Sequence, residues 1–233
     1  NVKDKCVINI DDTKLSTFLR PGDISYSSSK NSYYKINFPN SFNVDKEDYT
    51  ITTKLIGEHF ISNIVGAIAL ANQNGISIDQ CLNAIKHFDG VKRRTEYIGD
   101  FNGTNFYDDY GHHPTEIKAT TKALKNNTSG KLIVIFQPHR FTRTRDNYED
   151  LRDSFGHSDL TLITDIYSAG EKPIPGISSV MFEGKDIQYM KSPRLVPHFI
   201  KNNINPGDTV LTIGAGDITL LGPQILKYLN ENK

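Results

Sequence analysis

The amino-acid sequence predicts an α/β protein: a smaller mixed piece first, then a mostly parallel, doubly wound sheet. Three observations support this. From Thr95 onward, strand-like runs alternate with helical patterns, as they do when helices cover a parallel sheet. Runs such as Leu132–Phe136 carry no polar alternation, as expected of strands buried on both faces. The chemically distinctive residues fall directly after those runs, where right-handed crossovers collect loops on one edge of the sheet.

At 233 residues the chain is long enough for one or two domains, each with its own core. Its 27 basic and 27 acidic residues cancel, so no bulk field favours nucleic acid or an anionic membrane, and neither is expected as a partner. No apolar run approaches the ~20 residues of a membrane span. Two cysteines, Cys6 and Cys81, sit among apolar neighbours and cannot form a disulfide framework; two buried, reduced thiols in a cytoplasmic protein are expected. The first residues do not form a signal peptide, and the chain opens directly into a strand, as though cut from something longer.

Residues 6–10 read as a buried strand, after which Asp11 or Asp12 caps a short helix through Leu19, ended by Pro21-Gly22. Residues 24–28, 33–38 and 49–55 are β-branched and aromatic and alternate, which predicts an antiparallel ribbon; the serine tract 27–32 is a loop. Residues 60–74 place Ile61, Ile64, Val65, Ile68 and Ala69 at helical spacing, with Gly66, Ala67 and Ala71 small enough for close approach. Ser77 starts a second helix through about Phe88. His59 and Asn63, four apart, share one face near the amino end of the first helix, where unpaired amides favour anions. At such spacing a cap and a packing contact are the commoner roles. Residues 89–94, Asp-Gly-Val-Lys-Arg-Arg, read as a linker whose basic residues matter only if a phosphate borders it.

Residues 97–101 and 105–108 flank Asn102-Gly103, a hairpin signal because both residues tolerate positive φ. Helices are expected over 116–126, 145–155, 193–202 and 218–230, and strands over 132–136, 160–164 and 209–213. The strand exits then read 109–114, 137–143, 165–176 and 214–217. The first carries Tyr110, His112 and His113, and the second His139, Arg140 and Arg143. Four loops aligned by topology suit an anionic or carboxylate ligand, since Arg can clasp a carboxylate through two donors.

Metal and nucleotide motifs are weak. Adjacent His112 and His113 diverge on regular backbone, and no His-x-x-x-His or Cys-x-x-Cys occurs, so no metal site is expected. Gly214-Ala215-Gly216 lacks the third glycine of a dinucleotide loop, and no Gly-x-x-x-x-Gly-Lys-Ser/Thr phosphate cradle is present.

Three stretches nevertheless carry a resemblance: 108–116 (DDYGHHPTE), 136–146 (FQPHRFTRTRD) and 167–176 (YSAGEKPIPG). In this order they resemble the Mur ligases, and within them the branch that joins L-alanine to UDP-N-acetylmuramate. The resemblance implies that 1–92 is the later half of a central ATPase domain and 93–233 a Rossmann-like, amino-acid-binding C-terminal domain. It implies ATP and Mg2+ as cofactors, with the metal ligands and phosphate loop expected upstream, so that this portion is inactive alone. Phosphorylation of the sugar's carboxylate and attack by the amine would follow, in the cytoplasm, by an enzyme expected to form homodimers.

Carried over by position, the resemblance puts Arg94 on the ATP phosphates, Asp109 on the ribose, and His59 and Asn63 at the nucleotide. Tyr110, His112, His139, Arg140 and Arg143 would shape the alanine site, with an arginine on its carboxylate. Phe60 departs from the family's usual His-Asn-x-x-Asn, which weakens half of the adenine contact. Two alternatives stand beside this reading: a murein-peptide recycling ligase, which tends to have Phe-Ala at Tyr110-Gly111, and a non-catalytic binding module.

Overall fold

The computed structural model describes residues 5–232. Two compact units divide the chain, Asn1–Gly90 and Val91–Lys233. Among the described residues each has its own sheet, five-stranded in the first and six-stranded in the second. No helix among the described residues is long and apolar enough to cross a membrane.

The first unit contains β1 (Val7–Asn9), α1 (Thr13–Ser16), β2 (Ile24–Ser27), β3 (Tyr34–Asn37), β4 (Ser41–Val44), β5 (Glu47–Thr50), α2 (Glu58–Gln73) and α3 (Ile78–Lys86). Asp12 caps α1 and Ser77 caps α3, the latter in a reciprocal box with Gln80. The core packs Tyr34, Ile36, Phe42 and Val44 of the sheet against Ile61, Ile64, Val65 and Ile68 of α2 and Cys81 of α3. Each such side chain contributes roughly 1.5–3 kcal/mol by leaving water. Gly66 permits the close approach: a Cβ there would lie 2.9 Å from the Tyr26 ring. Ala67 faces solvent, and Cys6 is half-buried rather than buried.

The expected antiparallel ribbon is only partly present. β1, β2 and β3 run parallel, and antiparallel pairing begins with β3–β4. Side-chain alternation identifies a strand but not its direction. Here the Asp11 carboxylate gathers Ser27, Ser28 and Ser29, while Lys35 Nζ donates to the carbonyls of Ser28 and Lys30, and the returning chain lies parallel. β4 escaped prediction, and β5 begins two residues before the predicted 49–55 and ends at Thr50. The turn between them uses Asp45 and Lys46 at φ 53° and 70°, without the Gly or Asn that usually marks such a turn. α1 is also shorter than predicted.

The second unit contains β6 (Glu96–Phe101), β7 (Thr104–Asp109), α4 (Pro114–Lys125), β8 (Leu132–Phe136), α5 (Phe141–Asp146), α6 (Tyr148–Asp153), β9 (Leu160–Ile163), β10 (Ile187–Tyr189), α7 (Val196–Asn203), β11 (Thr209–Ile213) and α8 (Leu221–Glu231). The sheet order is β10-β9-β8-β11-β7-β6, parallel throughout except at β6. The hairpin turns at Asn102 and Gly103, with φ 49° and 82°. Phe106, Ile133, Ile135, Leu162 and Val210 pack against Val196 and Ile200 of α7 and Ile225 and Leu229 of α8.

Where one helix was expected over 145–155, two occur. Asn147 breaks the run at φ −122°, and its side-chain amide donates to the Arg143 carbonyl. Such local side-chain bonds compete with the helical ladder. Short 3-10 turns precede α7 and α8, and both a third 3-10 turn (Ser179–Phe182) and β10 lie between the predicted strand-exit loop 165–176 and the predicted helix 193–202.

Candidate functional site

Every parallel strand of the second unit ends on the same edge, and register fixes which residues meet there. Asp109, Phe136 and Ile213 are paired partners at the ends of β7, β8 and β11. Gly214 N–H donates to the Asp109 carbonyl and Gln137 N–H to the Ile213 carbonyl, so the exits remain stitched beyond the strands. The Gln137 side chain continues this, donating to Asp217 at 2.7 Å and accepting from Ile218 N–H at 3.2 Å.

The turn after β7 is built around Asp109. One carboxylate oxygen accepts the N–H of Thr95 at 2.7 Å and its hydroxyl at 3.1 Å; the other accepts the N–H of Gly111 at 2.6 Å. Thr95 adopts φ 47°, uncommon for a β-branched residue, so the carboxylate holds backbone strain of about 1–3 kcal/mol in place. Burial pushes the Asp109 carboxyl up, against the lowering effect of these donors. Asp109 was expected to hold ribose hydroxyls. It is 3% exposed, and both of its oxygens bind the turn through Thr95 and Gly111.

Arg93 is the residue that sequence reading missed, having grouped it with a solvated linker. Its guanidinium donates to the carbonyls of Gly214 at 2.7 Å and Gly216 at 3.2 Å. Its Nε lies 3.5 Å from the buried Asp108 carboxylate, which also accepts from Thr212 and Thr219 at 2.7 Å. The group covers the Tyr110 ring, 4.8 Å from its centroid. A positive φ, 59°, turns the chain here. Arg94, the expected phosphate contact, is the exposed neighbour; its nearest carboxylate is Glu116, at 4.0 Å.

Pro114 begins α4 and His113 caps it. Glu116 reaches back to the N–H groups of His112 and His113, 3.1 and 3.3 Å away. Burial alone would raise the Glu116 carboxyl; those two donors, with His112 and Arg94, bring it below its ordinary value. His112 Nδ1 lies 3.1 Å from the Tyr110 carbonyl and 3.9 Å from Glu116. Its ring meets Tyr110 edge-on at 5.2 Å and His139 at 6.1 Å.

His139 stacks on Tyr167 at 5.5 Å and 17°, and a parallel bridge joins their backbones. Arg140 has φ 69° and donates its N–H to the Tyr167 carbonyl at 2.8 Å. Glu171 accepts the Thr142 N–H at 3.0 Å and its hydroxyl at 2.7 Å, tying the exit of β9 to α5. Burial, then the charges of Arg143, His112 and Arg140, push the His139 imidazole below its ordinary range. Arg143 Nη1 and His139 Nδ1 are buried without hydrogen-bond partners.

The structure thus gathers Tyr110, His112, His139, Arg140 and Arg143 at one sheet edge with Asp109 beneath them. Gly216 allows the close fit, since a Cβ there would lie 2.3 Å from Gln137 Oε1 and 2.7 Å from the Tyr167 ring. His59 and Asn63 belong to the first unit, in the first turns of α2, where Gly57 is the cap; His59 packs on Phe60 at 4.3 Å. Tyr167, Gln137, Glu116 and Glu171 also build the edge. Their sequence signal was position just after a strand or in the first turn of a helix.

The family model described as "Mur ligase, glutamate ligase domain" matches residues 93–216. Proteins named UDP-N-acetylmuramate–L-alanine ligase are 37% identical over 182 residues in Desulforamulus reducens and 40% over 170 residues in a Chelativorans species. These alignments cover 75% and 70% of this chain, but 39% and 37% of those proteins. The chain therefore spans about two fifths of the length of these relatives. Among solved structures, the UDP-N-acetylmuramate–alanine ligase of Thermotoga maritima shares the fold at TM-score 0.79 and 22% identity, over 99% of this chain and 52% of that one. A murein peptide ligase of Psychrobacter arcticus does so at 0.61 and 20%, over 97% and 51%. The parallel sheet, its stitched exits and the match over 93–216 together make this chain a member of the Mur ligase family.

Proposed function

We propose that this chain is the carboxyl-terminal portion of an ATP-dependent ligase that joins L-alanine to UDP-N-acetylmuramate through an acyl phosphate, in building peptidoglycan. Residues 1–92 are then the later half of the ATPase domain, and 93–233 the domain that receives the amino acid. The observation that carries this reading is the sheet edge where two imidazoles, two arginines and a tyrosine converge. An amino acid is a small zwitterion, and such a set supplies cations for its carboxylate and imidazole nitrogens for its amine. The names of the 37–40% identical relatives support the choice of substrates.

The reaction is chiefly one of positioning and charge stabilisation. Arg140 and Arg143 would clasp the amino-acid carboxylate, Tyr110 and Tyr167 would wall the site, and Asp109 and Arg93 would hold those turns in register. ATP supplies the phosphoryl group that activates the sugar's carboxylate. Arg94, exposed and only loosely paired, suits a phosphate contact, and a Thermotoga maritima ligase of the same fold (TM-score 0.76) is known in complex with ADP. Among the described residues no three His, Cys, Asp or Glu side chains gather into a metal cradle. The described residues do not make a magnesium site.

Phosphate release by the full-length protein, supplied with ATP, UDP-N-acetylmuramate and one amino acid at a time, tests this reading. Release should require the sugar nucleotide and be highest with L-alanine. Release that needs a peptide instead would point to the recycling ligase, and none with any amine to a binding module. The 233-residue chain alone should hydrolyse no ATP.

A further inference from the structure

The two imidazoles of the site have opposite surroundings. His112 Nδ1 faces an acceptor, the Tyr110 carbonyl at 3.1 Å, with the Glu116 carboxylate 3.9 Å away. Only a nitrogen carrying hydrogen satisfies that geometry, so the lone pair of a neutral His112 belongs on Nε2. His139 Nδ1 is buried and has no hydrogen-bond partner. Burying an N–H without an acceptor forfeits a full hydrogen bond, whereas a bare lone pair is the lesser loss. The hydrogen of His139 therefore belongs on Nε2, the nitrogen left to meet a ligand.

We infer that His112 and His139 hold opposite neutral tautomers, so that the rim offers an acceptor, His112 Nε2, and a donor, His139 Nε2–H, to the two ends of an α-amino acid. The ligand rests on the proposed function; the tautomers rest on the geometry alone. The groups around the pair agree. His112 faces Tyr110, Glu116 and His139, with Arg94 behind Glu116. His139 faces Tyr167, His112 and the charges of Arg143 and Arg140, which the Glu171 carboxylate opposes. A second positive charge on His139 would sit among cations, while one on His112 would sit beside Glu116.

The chemistry divides accordingly. The substrate ammonium gives one proton to His112 Nε2, and its freed electron pair forms the N–C bond to the acyl phosphate. Phosphate leaves with the electron pair of the broken C–O bond and carries off the second proton of that nitrogen, so that a neutral amide remains. His139 transfers no proton; it donates a hydrogen bond to a carboxylate or developing oxyanion beside Arg140 and Arg143.

Nitrogen-15 NMR of this histidine-labelled chain at pH 7.5 reads the tautomers directly, with His112→Gln and His139→Gln spectra assigning the signals. Hydrogen on Nδ1 for His112 and on Nε2 for His139 is expected. The same tautomer for both, or an imidazolium at position 139, would overturn the inference. In the full-length protein, glutamine places an amide near Nε2 and asparagine near Nδ1. His139→Gln should thus keep ligation that His139→Asn loses, and an inert His139→Gln that still folds would remove the donor role. His112→Gln should lower kcat by roughly 10²-fold or more with little change in the alanine KM, as loss of a proton acceptor does. A change in KM alone would make His112 a binding residue only. Opposite tautomers in a full-length protein that ligates no amino acid would sink the proposed function and the ligand, not the imidazole assignment.

Discussion

Arg93 lies over the ring of Tyr110, its guanidinium carbon 4.8 Å from the centroid, while its Nη2 donates to the Gly214 and Gly216 carbonyls. One side chain thus joins the turn after β7 to the turn after β11. It also places a cation near Asp108, which is 2% exposed.

Arg93→Ala should lower the stability of the second unit by about 1.5–3 kcal/mol, because carbonyls lose a charged donor and a buried carboxylate loses its cation. Arg94→Ala, at an exposed site with a 4.0 Å ion contact, should stay within about 0.5 kcal/mol. Urea denaturation of the two variants decides this, and equal losses would contradict the assignment.

Asp109→Asn preserves shape but puts an NH2 where one oxygen accepts from Thr95 or Gly111. A loss of about 1–3 kcal/mol is expected at neutral pH, as for a buried donor left unpaired. In a chain of this size that is a fall of roughly 2–4 °C in Tm per kcal/mol. An unchanged melting curve would mean the turn does not depend on this carboxylate.

Gly216→Ala should disturb the rim without touching a charged group. Its Cβ would lie 2.3 Å from Gln137 Oε1 and 2.7 Å from Tyr167 Cγ, so the Gln137 bonds and the His139–Tyr167 stack must give way. A cost of about 1–3 kcal/mol is expected from such overpacking. The His139 ring proton shifts should move as the tyrosine leaves; shifts that stay put would show that the loop absorbs the methyl elsewhere.

His139 carries a pH signature. Its imidazole titrates below the ordinary value of 6.5 in the folded chain, so the unfolded chain binds more protons there. By linkage, the stabilisation is fully present above about pH 6.5 and declines as pH falls below it. The difference in unfolding free energy between the wild type and His139→Gln should be flat above that pH and shrink below it. A difference that grows on acidification would reverse the sign and require a raised imidazole.

Much of the second unit was legible because its strands are fully buried. Leu132–Phe136 and Thr209–Ile213 each bury all five residues, and continuous apolar runs with turn residues on either side identify such strands. Asn102-Gly103 announced its hairpin for a local steric reason, and Ser77 its helix through a side chain that bonds the nearby backbone. The first unit was harder. Its strands are three or four residues long, one turn uses Asp45-Lys46, and strand direction depends on a carboxylate contacting serines 16 to 18 positions away.

The sequence by itself determined that His112, His139, Arg140 and Arg143 follow strands or begin helices, because hydrophobic period and capping are local properties of the chain. It determined the Mur ligase resemblance as well, through three motifs in order. Only the tertiary structure decided what each residue does there. Arg93 and Arg94 are adjacent and both basic, yet one is bound to carbonyls more than 120 positions away while the other stands in solvent. Asp108 and Asp109 differ in the same way, one facing Thr212 and Thr219 and the other Thr95 and Gly111. Alternate residues of a strand point to opposite faces, and burial and partners are set by what the rest of the fold brings to each face.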